Sequence, residues 1–174
     1  DSYKRYANMR DVCVGQRHSL MSPEEIATRR ANGDVSTYYV CCSTLFPNAF
    51  TNSQPFESEL LILYALAHDY DGMLRWAYNS WAEDPQYDSR FGNWMSGDTY
   101  LVYPYNRSSM RFERLIDGIE VTEKIRALRA AGVDMSGVDA VLEKIRSLEI
   151  TDYNLPWQQV VKEAQAALDE AARK

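Results

Sequence analysis

One short segment of the sequence concentrates aromatic and amide side chains directly after a glycine. The segment GMLRWAYNSW runs from Gly72 to Trp81 and contains Trp76, Tyr78 and Asn79. Aromatic rings offer flat apolar surfaces for stacking, and an amide both donates and accepts hydrogen bonds. Such a set suits a ligand that has an apolar face and a polar rim. The same rings could also pack in the core beneath a sheet, so the elements around the segment must decide between core packing and ligand binding.

Metal and cofactor chemistry has little support in the sequence. The only histidines, His18 and His68, have no metal-ligand partner at a suitable spacing, and no cysteine spacing matches a zinc site. A bond between the adjacent Cys41 and Cys42 would be strained, whereas Cys13 could pair with either. We interpret all three as buried free thiols. The sequence therefore predicts no metal and no cofactor.

Composition and charge narrow the possible partners. The chain has 174 residues, is 45% hydrophobic and 25% charged, and carries a net charge of -6, as in ordinary soluble globular proteins. The acidic balance argues against nucleic acid as a partner. No apolar run approaches the roughly 20 residues of a membrane span. The chain opens DSYKRYANMR and does not begin with methionine, which we interpret as the interior of a longer protein whose targeting signal lies elsewhere.

Three short apolar runs alternate with helical patterns. The runs predict strands near residues 11–15, 36–42 and 72–78, because each is rich in Val, Tyr or Trp and is bounded by Gly, Asp or Ser. The order of strand, helix, strand, loop, helix and strand is typical of a parallel sheet. In such folds ligands bind at the carboxyl ends of the strands, where the segment YNSW is expected to lie.

The two intervening helices have clear signals. Ser22 and Glu25 form a capping box, Pro23 suits the first helical position and Gly33 suits the C-terminal end, which predicts a helix over about 23–31. The apolar stripe in ESELLILYALAHDYD predicts a buried helix. It follows the loop STLFPNAFTNSQPF, and long loops inside compact domains are often functional.

The second half of the chain is predicted to be mainly helical. The segment TYLVYP could form a short strand or a hairpin beyond the sheet. Helical periodicity then predicts helices over about 109–131, 136–148 and 156–172. The last two are charged and moderately amphipathic, and we expect solvated helices that pack on the domain.

Several blocks of the sequence resemble the C-terminal catalytic region of glycoside hydrolase family 123 and its relatives. In order, the blocks are MSPEEIATRRANGDVSTYYVCC, FPNAF, DGMLRWAYNSWAEDP, GDTYLVYP and SSMRFERLIDGIEVTEKI. The resemblance implies an α/β fold that is the C-terminal portion of a (β/α)8 TIM-type barrel, with about three parallel strands in residues 1–131. Residues 132–174 then form a helical C-terminal extension.

The resemblance also implies an activity for the complete protein. This is hydrolysis of a β-linked N-acetylgalactosamine or a related sugar, in which the 2-acetamido oxygen attacks the anomeric carbon, one carboxylate steadies the acetamido group and a neighbouring Glu is the general acid. The family's Asp-Glu pair lies on an earlier strand, and nothing in the matching blocks corresponds to it. No catalytic residue is therefore assigned, and the chain alone is expected to be inactive. We expect a secreted or periplasmic complete protein.

The resemblance turns the aromatic segment into a candidate sugar-binding surface, because sugars combine apolar C–H faces with hydroxyl rims. The predicted substrate-binding residues are Trp76, Tyr78, Asn79, Trp81, Asp98, Asn48 and Tyr39. Trp81 ranks before Trp76 because it lies further towards the carboxyl end. The alternatives are core packing for Trp76 and Tyr78, loop anchoring for Trp81, a turn-forming role for Asp98 and barrel filling for Tyr39.

Three strands with helices on one side leave apolar edges exposed. We expect the missing N-terminal part of the same protein, or a second copy of the chain, to cover them. Besides a glycosidase fragment, a non-catalytic carbohydrate-binding or structural module on a barrel scaffold fits the same features. The sequence upstream of Asp1 would distinguish the two.

Overall fold

The computed structural model describes residues 8–16, 20–149 and 156–173. Within these residues three strands and five helices follow in the order β1 (Asp11–Gly15), α1 (Pro23–Ala31), β2 (Val35–Tyr39), α2 (Pro55–Ala67), β3 (Gly72–Leu74), α3 (Met110–Ala130), α4 (Ser136–Arg146) and α5 (Trp157–Ala171). The strands form one parallel sheet in the order β1-β2-β3. The prediction of adjacent parallel strands is therefore confirmed.

Helix α1 begins and ends as its sequence predicts. The Glu25 amide donates to Ser22 Oγ (3.2 Å), and the Ser22 amide donates to Glu25 Oε2 (3.0 Å). Gly33 adopts a φ of 75° just beyond the helix, a conformation that glycine adopts without strain. These interactions span only a few residues, which is why the sequence locates this helix correctly.

Among the described residues, one face of the sheet is buried and the other is only half-buried. On the covered face Val12, Val14 and Tyr38 are buried together with nearly the whole of α2. On the opposite face Cys13, Thr37 and Tyr39 are half-buried. We call this opposite side the bare face.

The C-terminal helices pack on the outer side of α2. Both α4 and α5 contact α2 and each other, and their apolar residues join the same core cluster as the sheet. Their outer faces are charged, with an ion pair between Lys144 and Glu163 (2.8 Å). The expected solvated helices packed on the domain are present, slightly shorter than predicted.

Two strands end earlier than predicted. The second was expected to reach residue 42 but ends at Tyr39, and the third was expected to reach residue 78 but ends at Leu74. Beyond β2 the side-chain amide of Asn48 donates to the carbonyl oxygen of Cys41 (3.0 Å). Beyond β3 the chain turns so that Arg75 enters a buried polar cluster.

The segment TYLVYP forms neither a regular strand nor a regular hairpin. It takes part in isolated antiparallel bridges, between Asn79 and Tyr100 and between Tyr103 and Arg107. The interpretation of the cysteines also needs correction, because all three are free but only half-buried. Among the described helices, none is both long and apolar enough to cross a membrane.

Candidate sugar-binding site

Two long loops leave the same edge of the sheet. The loop of residues 40–54 follows β2 and the loop of residues 75–109 follows β3. Because the strands are parallel, both loops begin at the carboxyl edge, where α/β folds place ligands. All but one of the predicted site residues lie in these loops; Tyr39 is the last residue of β2.

A buried polar cluster joins the two loops. Arg75 donates to Asn48 Oδ1 (3.1 Å), to Asp98 Oδ1 (2.8 Å) and to the Asp98 carbonyl oxygen (2.7 Å). The side chains of Arg75 and Asp98 are only 5% and 0% exposed. Asn48 also donates to the carbonyl oxygens of Cys41 (3.0 Å) and Thr44 (2.5 Å). The cluster fixes the start of one loop against the middle of the other.

Burial dominates the electrostatics of this cluster. It raises the pKa of Asp98, although the Arg75 guanidinium acts to lower it, and it lowers the pKa of Arg75. The Trp76 side chain and the Cys42 amide also act to lower the pKa of Asp98, but Asp98 Oδ2 has no hydrogen-bond partner of ordinary geometry. The Asp98 carboxylate, which has no exposed surface, thus lies beside the Trp76 side chain.

Trp76 and Trp94 form an exposed aromatic pair next to this carboxylate. Their ring centroids are 4.7 Å apart at an interplanar angle of 44°, and the residues are 40% and 42% exposed. We call this pair the tryptophan platform. Leu74, two residues before Trp76, pairs with Tyr39 in the sheet register and is also exposed. Flat exposed rings suit a sugar, whose apolar C–H face stacks on them, while the fully buried Asp98 carboxylate is bound by Arg75 and holds the loop beneath them.

A separate open cleft lies further along the segment, at Tyr78 to Trp81. It has a volume of about 290 Å³ and its lining includes Tyr78, Asn79, Trp81, Tyr103, Tyr105 and Phe112. The rings of Tyr78 and Phe112 meet edge to face with centroids 5.7 Å apart. The Trp81 indole N–H donates to the carbonyl oxygen of Val102 (2.7 Å). We call this the Tyr78 cleft.

Arg111 at the start of α3 ties the loops to the helix. It donates to the carbonyl oxygens of Ala49 (2.6 Å) and Gly97 (2.8 Å), and its guanidinium lies over the Tyr100 ring, 5.0 Å from the centroid. Gly97 has a φ of 78°, and a Cβ there would lie 2.7 Å from Thr51 Cγ2 and from Arg111 Nη1. Only glycine allows this close approach of the two loops.

The structure thus divides the predicted residues into two groups and one isolated member. Trp76, Asp98 and Asn48 surround Arg75, whereas Tyr78, Asn79 and Trp81 line one cleft. Tyr39 lies on the bare face, with its ring against Gly15.

Sequence reasoning missed Arg75 and Trp94. A single arginine inside the apolar run GMLRWAY is a signal for the first, since a charge rarely enters such a run without a partner. We find no sequence signal that pairs Trp94 with Trp76. No group of three or more His, Cys, Asp or Glu side chains is arranged to hold a metal ion in the part of the chain that the structure describes.

Comparison with known proteins assigns the chain to a family. The family described as glycoside hydrolase 123, catalytic domain, matches residues 1–128. A solved structure of a family 123 glycoside hydrolase from Clostridium perfringens, studied for glycolipid glycan hydrolysis, has a similar fold, with a TM-score of 0.79 and 22% sequence identity. That likeness covers 94% of this chain and 32% of the other, so the chain spans about a third of that enzyme.

No curated protein shows a significant similarity to the chain. The family match alone extends over well more than half of the 174 residues. It agrees with the resemblance found in the sequence blocks, and the shared fold is consistent with it. The chain therefore belongs to glycoside hydrolase family 123, within whose catalytic domain residues 1–128 lie.

Proposed function

We propose that the complete protein is a glycoside hydrolase and that this chain supplies part of its sugar-binding surface. The observation that carries the proposal is the exposed tryptophan platform beside the buried Asp98, at the carboxyl edge of a sheet in a family 123 catalytic domain. Trp76 is the better candidate for stacking than Trp81, because its ring is exposed whereas the Trp81 indole N–H is bound to Val102.

The proposed architecture is the C-terminal portion of a (β/α)8 barrel. Its support is the parallel order β1-β2-β3, the helices on one face and the bare opposite face. The remaining strands of the barrel would come from the part of the protein upstream of this chain. They would cover the bare face and bring further groups to the tryptophan platform. We also propose that the complete protein is secreted or periplasmic.

The proposed substrate is a glycan that carries a β-linked N-acetylgalactosamine or a related sugar. The proposed mechanism is substrate-assisted, with the acetamido oxygen as the nucleophile and the Asp-Glu pair supplied from upstream. Both rest on the resemblance of the sequence blocks to the family. In this scheme the residues of the present chain bind and orient the sugar, and the proton transfers belong to groups outside it.

The first test replaces the two tryptophans in the complete protein. Trp76→Ala should lower kcat/KM for a p-nitrophenyl N-acetyl-β-galactosaminide, because loss of one stacking surface costs about 1–3 kcal/mol of transition-state binding. Trp81→Ala should mainly lower the melting temperature, since Trp81 anchors the loop at Val102. Kinetics and thermal melts on the same variants give both quantities.

A buried tryptophan provides the control for this test. Trp157 lies in the core at the start of α5, so Trp157→Phe should lower the melting temperature and leave kcat/KM of the folded enzyme unchanged. If Trp76→Ala behaves like Trp157→Phe, the platform is scaffold and the assignment is wrong.

A complete protein that binds the sugar but hydrolyses no N-acetyl-β-galactosaminide would instead be the non-catalytic module. Equal hydrolysis of the matching galactoside, which lacks the acetamido group, would contradict the substrate-assisted mechanism.

A further inference from the structure

The Tyr78 cleft has the size and lining of a small binding site. Its volume of about 290 Å³ is close to the lower end of the roughly 300–1,000 Å³ range of small-molecule sites. The rings of Tyr78, Trp81 and Phe112 contribute apolar surface. The Trp81 indole is fixed by its hydrogen bond to Val102, so this ring is held in place before any ligand arrives.

Polar groups stand around the rings of the cleft. The lining includes Asn79, Arg107 and Ser108, of which Ser108 donates its hydroxyl to Glu113. Arg107 also lies over the ring of Tyr105, 5.8 Å from the centroid. Aromatic rings bordered by several donors and acceptors suit a ligand that has C–H faces and many hydroxyls.

An unusual turn presents Tyr105 at the rim of the cleft. Tyr105 and Asn106 have φ values of 61° and 57°, a left-handed conformation that is unfavourable for tyrosine and tolerated by asparagine. The turn is closed by a hydrogen bond from the Tyr103 amide to the Arg107 carbonyl oxygen (2.8 Å). Strain of this kind persists where the surroundings over-determine the backbone, and here it keeps an 86% exposed ring beside the cleft.

The cleft and the tryptophan platform are near each other but distinct. Trp76 contacts Trp94, whereas Tyr78, two residues later, contacts Phe112 of α3. Two residues of backbone span at most about 7 Å. One glycan can therefore touch both surfaces.

We propose that the Tyr78 cleft binds the sugar unit next to the one that is cleaved, on its leaving-group side. This inference rests on the proposed function, with the sugar that is cleaved taken as the terminal unit of the glycan and bound at the tryptophan platform. A chain that ends at the platform can continue only on the leaving-group side, and the cleft is an aromatic-lined depression within that reach. The cleft then selects glycans over simple glycosides.

Binding of a free disaccharide tests the cleft without relying on hydrolysis. Lactose and cellobiose serve as probes with the complete protein, and saturation-transfer NMR reports which sugar C–H protons lie against the protein. We expect transfer with the parent protein. We expect at least a several-fold weaker transfer with Tyr105→Asn, which keeps a residue that tolerates left-handed backbone, and with Arg107→Gln.

The control for this experiment is an exposed tyrosine elsewhere. Tyr87 is 93% exposed and does not line the cleft, so Tyr87→Asn should leave the transfer unchanged. Absence of transfer in the parent, or full transfer in Tyr105→Asn, would overturn the proposal. A signal that disappears in Trp76→Ala but persists in both cleft variants would place the disaccharide at the platform and would also overturn it.

Kinetics separate this proposal from the proposed function. The two substrates are methyl N-acetyl-β-galactosaminide and an oligosaccharide that ends in the same β-linked sugar. The cleft variants should lower kcat/KM for the oligosaccharide about 3- to 10-fold, the effect of about one aromatic contact, and leave the methyl glycoside unchanged. Equal losses on both substrates would refute the cleft assignment alone. Failure to hydrolyse either substrate would refute the proposed function, while the NMR result would still decide the cleft.

Discussion

At the scale of single residues, Arg75 and Asp98 form an ion pair that is almost completely removed from water. Such a pair contributes little net stability, because the desolvation of both charges offsets much of their mutual attraction. The pKa of Asp98 is raised, so burial has a larger effect on the carboxylate than the attraction of Arg75. What the pair does achieve is geometry, since three hydrogen bonds from Arg75 fix two loops.

Removal of one partner should therefore destabilise the fold by more than the intact pair stabilises it. Arg75→Met leaves Asp98 buried without its counter-charge, and we expect a loss of about 3–5 kcal/mol in the free energy of unfolding. The loss should be larger at pH 8 than at pH 5. With Arg75 absent the folded-state pKa of Asp98 rises further, so stability is retained while the group is protonated and is lost as pH rises through that pKa. Urea unfolding of parent and variant at both pH values measures this.

An exposed pair provides the comparison for this prediction. Arg90 and Asp88 approach to 2.7 Å, but their side chains are largely exposed to solvent. Arg90→Met should leave the free energy of unfolding nearly unchanged, because the pair is screened by solvent. The double variant Arg75→Met/Asp98→Asn should lose less than the sum of the two single variants. Additive losses, or a deficit that shrinks towards pH 8, would show that the two side chains do not act as a pair.

At the scale of elements, α3 approaches the backbone of α2 closely. Gly118 of α3 lies where a Cβ would come within 2.9 Å of the Glu59 carbonyl oxygen and 3.0 Å of Ile62 Cβ. Glycine is otherwise a poor residue for a helix interior. Its presence here allows α3 to pack directly on the backbone of α2, and α3 in turn positions Arg111 under the two loops.

A methyl group at this position should push the two helices apart. Gly118→Ala would gain about 1 kcal/mol from helix propensity, but the overpacking should cost about 1–3 kcal/mol, and we expect a net loss in melting temperature. Gly137 in α4 is the matched control, because a Cβ there would meet only Ala167 Cβ at 3.9 Å. Gly137→Ala should raise the melting temperature. A gain in both variants would mean that the packing at Gly118 is looser than described.

At the scale of the whole molecule, the sheet has one covered face and one bare face. Large apolar side chains are exposed near the carboxyl edge, among them Leu74, Trp76, Phe91, Trp94 and Met95. Exposed apolar patches and open strand edges usually mark contact surfaces. The proposed remainder of the barrel would cover this side of the chain.

The isolated chain of 174 residues should therefore associate with itself. We expect sedimentation velocity to show a size that increases with concentration. Leu74→Lys should reduce the association, because a lysine on an edge strand opposes pairing. A well-folded monomer at all concentrations would contradict both the bare face as a contact surface and the proposed barrel. The complete protein is expected to show no association through this side.

Local interactions determined what the sequence predicts well. The capping box of Ser22 and Glu25 and the glycine at position 33 lie within a dozen residues, so they locate α1 without knowledge of the rest. The alternation of strands and helices likewise indicates a parallel sheet, because short connections leave few other arrangements. From this order alone, the sequence predicts the candidate sugar site at the carboxyl edge of the sheet.

Contacts between distant residues decided the rest. The ends of β2 and β3 depend on side chains that occupy the backbone or turn the chain away: Asn48 at the Cys41 carbonyl, and Arg75 at Asp98, 23 residues further on. Trp94 joins Trp76 through the same long loop, and Gly118 is explained only by the approach of α2. Propensity and periodicity describe neighbours along the chain, whereas burial and pairing depend on neighbours in space. The tertiary structure alone therefore decided which aromatic rings are exposed at the site and which charges are buried beneath it.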